Sequence, residues 1–267
     1  MSIRAAAFDL DDTLLRDDRT LSDFTIRTLR EASTAGVHII PASGRAHDSM
    51  WPYVEQLGCA SLVIACNGGE LWTPDSRRLY QAAIPVATAR EVVRFAAERG
   101  LYCHSYDEHG YFYSQEGKWA QGYAESSGLP GTLVPDMEAA ITFPVTKILM
   151  MAEPPVIART LADCRERFGA IAQITCSKPY FLEVNALLAQ KGAALRMAVE
   201  HLGVSLAETA AFGDSLNDLS MLEAAGYGVA MGNGWEDVKR RVRRVCGTNQ
   251  EDGAARCLRQ LMEEVRA

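Results

Sequence analysis

Ile3-Arg4-Ala5-Ala6-Ala7-Phe8-Asp9-Leu10-Asp11-Asp12-Thr13 is a short apolar run ending in a cluster of acids. Its first part, Ile3–Leu10, reads as a strand buried in a sheet. A helix follows over Ser22–Ala35, with Ser22 placed to cap it and Gly36 to stop it. Val37–Ala42 is the next strand, Ala46–Leu57 a helix weakened or bent near Pro52, and Leu62–Cys66 a third strand. This β-α-β-α-β alternation predicts a parallel sheet with right-handed crossovers. Ligands of such sheets bind outside the carboxyl ends of the strands. The acids after Phe8 fall at one of those ends.

Beyond the third strand the pattern changes. Asn67-Gly68-Gly69 is a tight turn into Glu70–Trp72, which pairs with Leu79–Ala83 as a hairpin. Helices are expected over Ala87–Gly100, Gly117–Ser127 and Pro155–Phe168. Strands are expected over Leu101–Tyr106, Tyr111–Ser114, Lys147–Met151, Ile171–Ser177 and Phe181–Glu183. The first pattern then returns, with strands at Thr209–Phe212 and Tyr227–Ala230 and helices at Gly192–Leu202, Leu216–Ala225, Glu236–Val242 and Gly253–Val265. The fold class is α/β: a Rossmann-like parallel-sheet core over residues 1-83 and 185-267, interrupted by an α+β domain at 84-184.

Four distant segments carry groups suited to phosphoryl transfer. They are Phe8-Asp9-Leu10-Asp11-Asp12-Thr13, Ala42-Ser43-Gly44-Arg45, Lys191-Gly192 and Gly213-Asp214-Ser215-Leu216-Asn217-Asp218. On an extended strand end, alternation sets Asp9 and Asp11 on one side. Two carboxylates at ~4 Å repel by on the order of 4 kcal/mol at an effective dielectric near ~20. A divalent cation removes that cost, and magnesium prefers carboxylate, water and phosphate oxygens. Asp9 is then the candidate nucleophile, forming an aspartyl-phosphate. Asp11 is the candidate acid for the leaving alkoxide and later the base for water. An acidic surface turn is the plainer reading.

The Ser43 hydroxyl and the Gly44 amide form a minimal phosphate grip, with Arg45 beside them to support the loop. A strand-to-helix turn with a serine cap accounts for them too. Lys191 offers a compact charge for both the phosphate and the attacking carboxylate. The dipole at a helix start does not favour a lysine. Asp214 suits a direct metal ligand. Asn217 and Asp218 lie one helical turn on, the first as donor to a phosphate oxygen, the second as a ligand or as support behind one. Capping of the following helix by Asp214 or Ser215 is the structural alternative.

The bulk composition narrows the partners. A chain of 267 residues with 48% hydrophobic content can bury more than one core. Its 27 basic against 34 acidic side chains give a net charge of -7, which disfavours binding to the nucleic-acid backbone. The densest basic run, Lys239-Arg240-Arg241 with Arg243-Arg244, reads as a solvated helix face and the turn after it. No apolar stretch approaches the ~18 residues of a membrane span. Asp9 and Asp11 come too early for a signal-peptide core. Seven scattered cysteines, with no Cys-x-x-Cys pair, fit reduced thiols in the cytoplasm, with Cys66 and Cys176 as small core residues.

In order and spacing, the four segments resemble the D-x-D-x-T, S/T-G-R, K-G and G-D-x-x-N-D motifs of haloacid dehalogenase superfamily phosphatases, subclass IIB, of the Cof type. The similarity covers essentially the whole chain. The resemblance implies Asp9 as nucleophile and Asp11 as general acid and base. It implies that Ser43, Gly44, Lys191, Asn217 and the Leu10 amide hold phosphate. Asp9, Asp214 and the Asp11 main-chain carbonyl would hold Mg2+, with Asp218 beside or behind them. The inserted domain corresponds to the family's substrate-covering cap. Asp12 stands where glycine is frequent and Ser43 where threonine is; neither change removes a reacting group, and Asp12 adds local negative charge.

The expected activity is magnesium-dependent hydrolysis of a small phosphorylated metabolite: a sugar phosphate, a nucleotide or a cofactor phosphate. A phosphoaspartate signalling module and a phosphomutase are the alternatives on the same site. A large insertion over an acceptor on the first strand argues against the signalling reading. The five histidines, His38, His47, His104, His109 and His201, form no ligand pair and read as structural or surface residues. His104, Tyr106, Asp107, Tyr180 and Phe181 in the inserted domain are candidates to face the substrate, and Asn67-Gly68-Gly69 to border the site.

Overall fold

The computed structural model describes residues 2–106 and 110–264; Asp107, His109 and Val265, named above, lie outside them. The chain forms two compact units, one made of residues up to Tyr80 and from Gln190 on, the other of Gln81–Ala189.

The first unit opens with β1 (Ala5–Phe8), α1 (Asp23–Thr34), β2 (His38–Pro41), α2 (His47–Leu57), β3 (Val63–Ala65), β4 (Glu70–Trp72) and β5 (Arg78–Gln81). Ser22 caps α1, its side chain accepting the Thr25 N–H at 3.0 Å. α2 continues through Pro52 and stops at Gly58, whose φ of 63° ends the helix.

The second unit holds α3 (Val86–Glu98), β6 (Tyr102–Tyr106), β7 (Tyr111–Tyr113), α4 (Lys118–Ser127), β8 (Gly131–Leu133), α5 (Met137–Ala140), β9 (Lys147–Met151), α6 (Pro154–Phe168), β10 (Ala172–Thr175) and β11 (Phe181–Ala186). Its sheet runs in the order β10-β11-β9-β6-β7-β8. His104 is fully buried there, its Nε2 3.2 Å from the Tyr106 hydroxyl and its ring against Tyr111 and Tyr123. It is a core residue of this unit. β11 runs three residues past the expected strand end at Glu183, so the unit extends to Ala189 instead of 184.

The first unit resumes with α7 (Lys191–His201), β12 (Thr209–Gly213), α8 (Leu219–Ala224), β13 (Tyr227–Ala230), α9 (Glu236–Lys239), β14 (Arg244–Val245) and α10 (Gly253–Glu264). Its main sheet has the order β14-β13-β12-β1-β2, parallel throughout. β1 lies between β12 and β2, with Phe8 opposite both Phe212 and Pro41. Ala5 and Ala7 join the apolar cluster of one face, Ala6 and Phe8 that of the other, the period of two expected of a strand covered on both sides. The Phe8 and Phe212 rings stack at 4.8 Å, and burying each contributes about 2–3 kcal/mol.

Several elements differ from expectation. The helix expected over Leu216–Ala225 begins as a tight turn over Leu216–Asp218, because a capping box between Ser215 and Asp218 holds its first amides. The helix expected over Glu236–Val242 ends at Lys239. The short β8, α5 and β14 lack a periodicity long enough to register in the sequence. Cys176 is only half-buried, since β10 ends one residue before it; all seven cysteines are free thiols. Within the basic run, Lys239, Arg240, Arg241 and Arg244 pair with Glu236, Asp237, Glu223 and Glu264. No helix among the described residues is long and apolar enough to cross a membrane.

Candidate active site

Parallel pairing of β1 with β12 brings two acids to the same edge of the sheet. Asp9 follows Phe8, the last residue of β1; Asp214 follows Gly213, the last of β12. Carboxylate oxygens of Asp9, Asp214 and Asp218 all lie within 4.8 Å of one another, and all three residues are buried. Such a trio of hard oxygen donors suits a divalent cation of the magnesium type.

Lys191, at the first position of α7, is completely buried. Its ammonium lies 2.5 Å from Asp9 Oδ1 and 2.6 Å from Asp218 Oδ1. The adjoining glycine explains how the lysine gets so close. A Cβ on Gly192 would stand 2.1 Å from the Ser220 carbonyl, so only glycine lets the start of α7 press against the start of α8. The second oxygen of Asp218 accepts the Asp214 and Ser215 backbone N–H groups, each at 3.0 Å. Asp218 therefore ties the lysine to the loop that carries Asp214.

Three buried carboxylates against one ammonium leave excess negative charge in a desolvated space. Burial drives the Asp9 carboxyl well above its ordinary range; Lys191 opposes this, while Asp218, Asp214 and Asp11 add to it. Burial, then Asp218 and Asp12, push Asp214 up to about 8. Burial disfavours the Lys191 charge, yet Asp218 and Asp9 outweigh it and raise the lysine above its usual value. The site holds its ammonium firmly and its carboxylates reluctantly, a balance that a bound cation would redress.

Asp11 is placed differently from the alternation argument. The strand ends at Phe8, and the chain enters a wide turn over Leu10–Leu14, with Asp12 left-handed at φ 59°. The Asp11 side chain stands outside the buried trio. Arg45 holds it with two parallel bonds, Nη2 to Oδ1 at 2.6 Å and Nε to Oδ2 at 2.8 Å. The repulsion expected between Asp9 and Asp11 as immediate neighbours is thus weakened by an Asp11–Arg45 pair, and Asp11 adds less to the rise of Asp9 than Asp218 or Asp214 does. Leu10 buries its side chain in the core.

Ser43 is buried just past β2, its Oγ accepting the Arg45 N–H at 3.2 Å. Gly44 makes room for a neighbour: a Cβ there would stand 2.8 Å from Asn67 Oδ1. Asn217 donates to that oxygen at 2.9 Å and accepts from Ser215 Oγ at 2.5 Å. Asp9, Leu10, Asp11, Ser43, Gly44, Asp214, Asn217 and Asp218 thus follow the carboxyl ends of β1, β2 and β12, and Lys191 joins Asp9 and Asp218 from the start of α7.

Some supports were not anticipated. The Thr13 hydroxyl donates to Asp214 Oδ1 at 3.4 Å, Trp235 N–H to the Asp214 carbonyl at 2.9 Å, and Asn233 Nδ2 to the Asp12 carbonyl at 2.7 Å. Asn233 and Trp235 follow β13, the next strand of the same edge. Their signal was available in Met231-Gly232-Asn233-Gly234, polar and glycine-rich after an apolar strand.

The profile of the haloacid dehalogenase-like hydrolases matches residues 6–258. The 5-amino-6-(5-phospho-D-ribitylamino)uracil phosphatase YitU of Bacillus subtilis is 30% identical, over 95% of this chain and 96% of its own. The pyridoxal phosphate phosphatase YbhA of Escherichia coli is also 30% identical, over 96% of this chain and 97% of its own. A crystal structure of a haloacid dehalogenase-like hydrolase from Bacteroides thetaiotaomicron superposes with a TM-score of 0.89 at 27% identity, covering 97% of this chain and 99% of that one. A parallel sheet with this acidic edge defines a phosphatase of α/β architecture. The chain belongs to the haloacid dehalogenase-like hydrolases, as a phosphatase of the Cof type.

Proposed function

We propose that the protein is a magnesium-dependent phosphomonoesterase that works through an aspartyl-phosphate on Asp9. The observation that carries this reading is the buried trio of Asp9, Asp214 and Asp218, two of which, Asp9 and Asp218, clasp the Lys191 ammonium. The donor set fits the ion. Asp9 and Asp214 would hold it with the Asp11 main-chain carbonyl, and Asp218, whose oxygens already serve Lys191 and two backbone amides, would stand behind them. When bound, the cation supplies positive charge for the phosphate and the acids around it.

An Asp9 oxygen attacks phosphorus, and the bond from phosphorus to the ester oxygen breaks. The departing alkoxide takes the proton of Asp11, whose carboxyl Arg45 aims. Water then attacks the same phosphorus, its proton goes to Asp11, and the bond to Asp9 breaks to give orthophosphate. Lys191 stabilises charge on the equatorial oxygens and opposes protonation of Asp9. Ser43, Gly44, Asn217 and the Leu10 amide orient the phosphoryl group. The unit Gln81–Ala189 is the part that selects the leaving group. The names of YitU and YbhA support a small phosphorylated metabolite as substrate.

Steady release of phosphate from p-nitrophenyl phosphate with magnesium tests this reading. Turnover should stop with chelator and fall by several orders of magnitude in Asp9→Asn, with the fold intact. A phospho-form lasting hours, or phosphoryl return to substrate without release, would replace hydrolysis by signalling or mutase chemistry.

A further inference from the structure

Between β3 and β4, Cys66, Asn67 and Gly68 have φ of 51°, 57° and 90°. Left-handed backbone comes easily to glycine and is tolerated by asparagine, but costs other residues about 1 kcal/mol or more. Such a turn persists only where its surroundings over-determine it. Here the surroundings are the candidate phosphate loops. Cys66 N–H donates to the Arg45 carbonyl at 2.8 Å and Asn67 N–H to the Ser43 carbonyl at 3.0 Å. The Asn67 side chain fills the space that the missing Cβ of Gly44 leaves, and its Oδ1 accepts the Asn217 amide at 2.9 Å. Ser215 Oγ donates to the oxygen of that same amide at 2.5 Å.

The Asn217 carboxamide is therefore gripped at both ends. Its nitrogen carries two hydrogens and one is engaged by Asn67. With Asn67 Oδ1 as the acceptor, a flipped Asn217 amide would set oxygen against oxygen there; the Ser215 hydroxyl, which also lies 3.4 Å from Asp218 Oδ2, can donate or accept and leaves the choice to Asn67. We infer that Asn67 is a positioning residue for phosphoryl transfer: it fixes the orientation of Asn217, so that the second N–H and not the oxygen meets the phosphate, while its turn braces the Ser43–Arg45 loop. This rests on the reading of Asn217 as a phosphate-binding side chain.

The test is a double-mutant cycle read by the inhibition constant of orthophosphate and by KM and kcat for p-nitrophenyl phosphate. Asn67→Gly suits the left-handed backbone, so its melting temperature should stay within about 5 °C of the parent. Its orthophosphate inhibition constant should rise about tenfold. Asn217→Ala should show at least as large a rise, and the double variant should be no worse than Asn217→Ala alone. An unchanged constant in Asn67→Gly beside a raised one in Asn217→Ala overturns the positioning role and leaves the phosphate site standing. Multiplying effects in the double variant overturn it as well. An unchanged constant in Asn217→Ala removes the phosphate reading of Asn217, and this inference with it.

Discussion

The Lys191 ammonium lies 2.6 Å from an oxygen of Asp218, and neither side chain has any exposure to solvent. A charge pair this dry is costly to break, because the survivor stays buried. Asp218→Ala should therefore destabilise the protein by about 3–5 kcal/mol and lower its melting temperature by about 10 °C. Asp9→Asn should leave the melting temperature within about 5 °C, since Asp218 continues to hold the lysine. Comparable melting of the two variants would contradict the clamp assigned to Asp218.

The paired bonds from Arg45 to Asp11 lead to a separate expectation. Arg45→Lys keeps the charge and loses the fork that aims the carboxylate. It should lower kcat by about tenfold to a hundredfold through poorer proton transfer. The magnesium concentration for half-activity should change by less than about twofold, because the Asp11 carboxylate stands outside the buried trio. A large shift in the metal requirement would place that carboxylate on the ion.

Acid titration gives a third. Asp214, held near 8 in the metal-free site, keeps its proton at neutral pH and must release it to a cation. Magnesium affinity should rise with pH up to about 8, by at most about tenfold per pH unit for this one proton. Calorimetry in two buffers of different ionisation enthalpy should detect proton release near pH 7. The folded carboxyl is raised above its ordinary 3.8, so its share of metal-free stability is intact below that value and declines as pH rises toward 8. Magnesium should suppress the decline. Equal affinity at pH 6 and 8 would refute the assignment.

A fourth concerns the glycine beside the lysine. Gly192→Ala forces a methyl group into the Ser220 carbonyl, which belongs to backbone and has little room to retreat. The cost should be about 1–3 kcal/mol by thermal unfolding, with a larger relative loss in kcat as the lysine is displaced. Wild-type activity in this variant would show that the contact is not needed to seat Lys191.

The sequence revealed what depends on period and on chemically loaded residue types. The alternation of apolar runs and helices predicted the parallel sheet, and polar groups after those runs predicted an edge where Asp9, Ser43 and Asp214 meet. It misjudged the seat of Asp11, because alternation holds only while the strand continues, and the turn that begins at Leu10, two residues past Phe8, ends it between the two acids. It also missed Asn233 and the grip on Asn217 by Asn67. Side-chain amides that hold a distant carbonyl or another amide leave no periodic trace; their partners are 221 and 150 residues away in the chain.

The register of Phe8 against Phe212 makes the sheet a ruler. Neighbouring strands are spaced at about 4.8 Å, so two acids emerging from adjacent strand ends are set at a fixed gauge before either side chain turns. A one-residue deletion inside either strand would slide that gauge by about 3.3 Å and point its acid toward the opposite layer. Length changes in this lineage should accordingly accumulate in turns, while the two central strands keep their residue count even where their composition drifts.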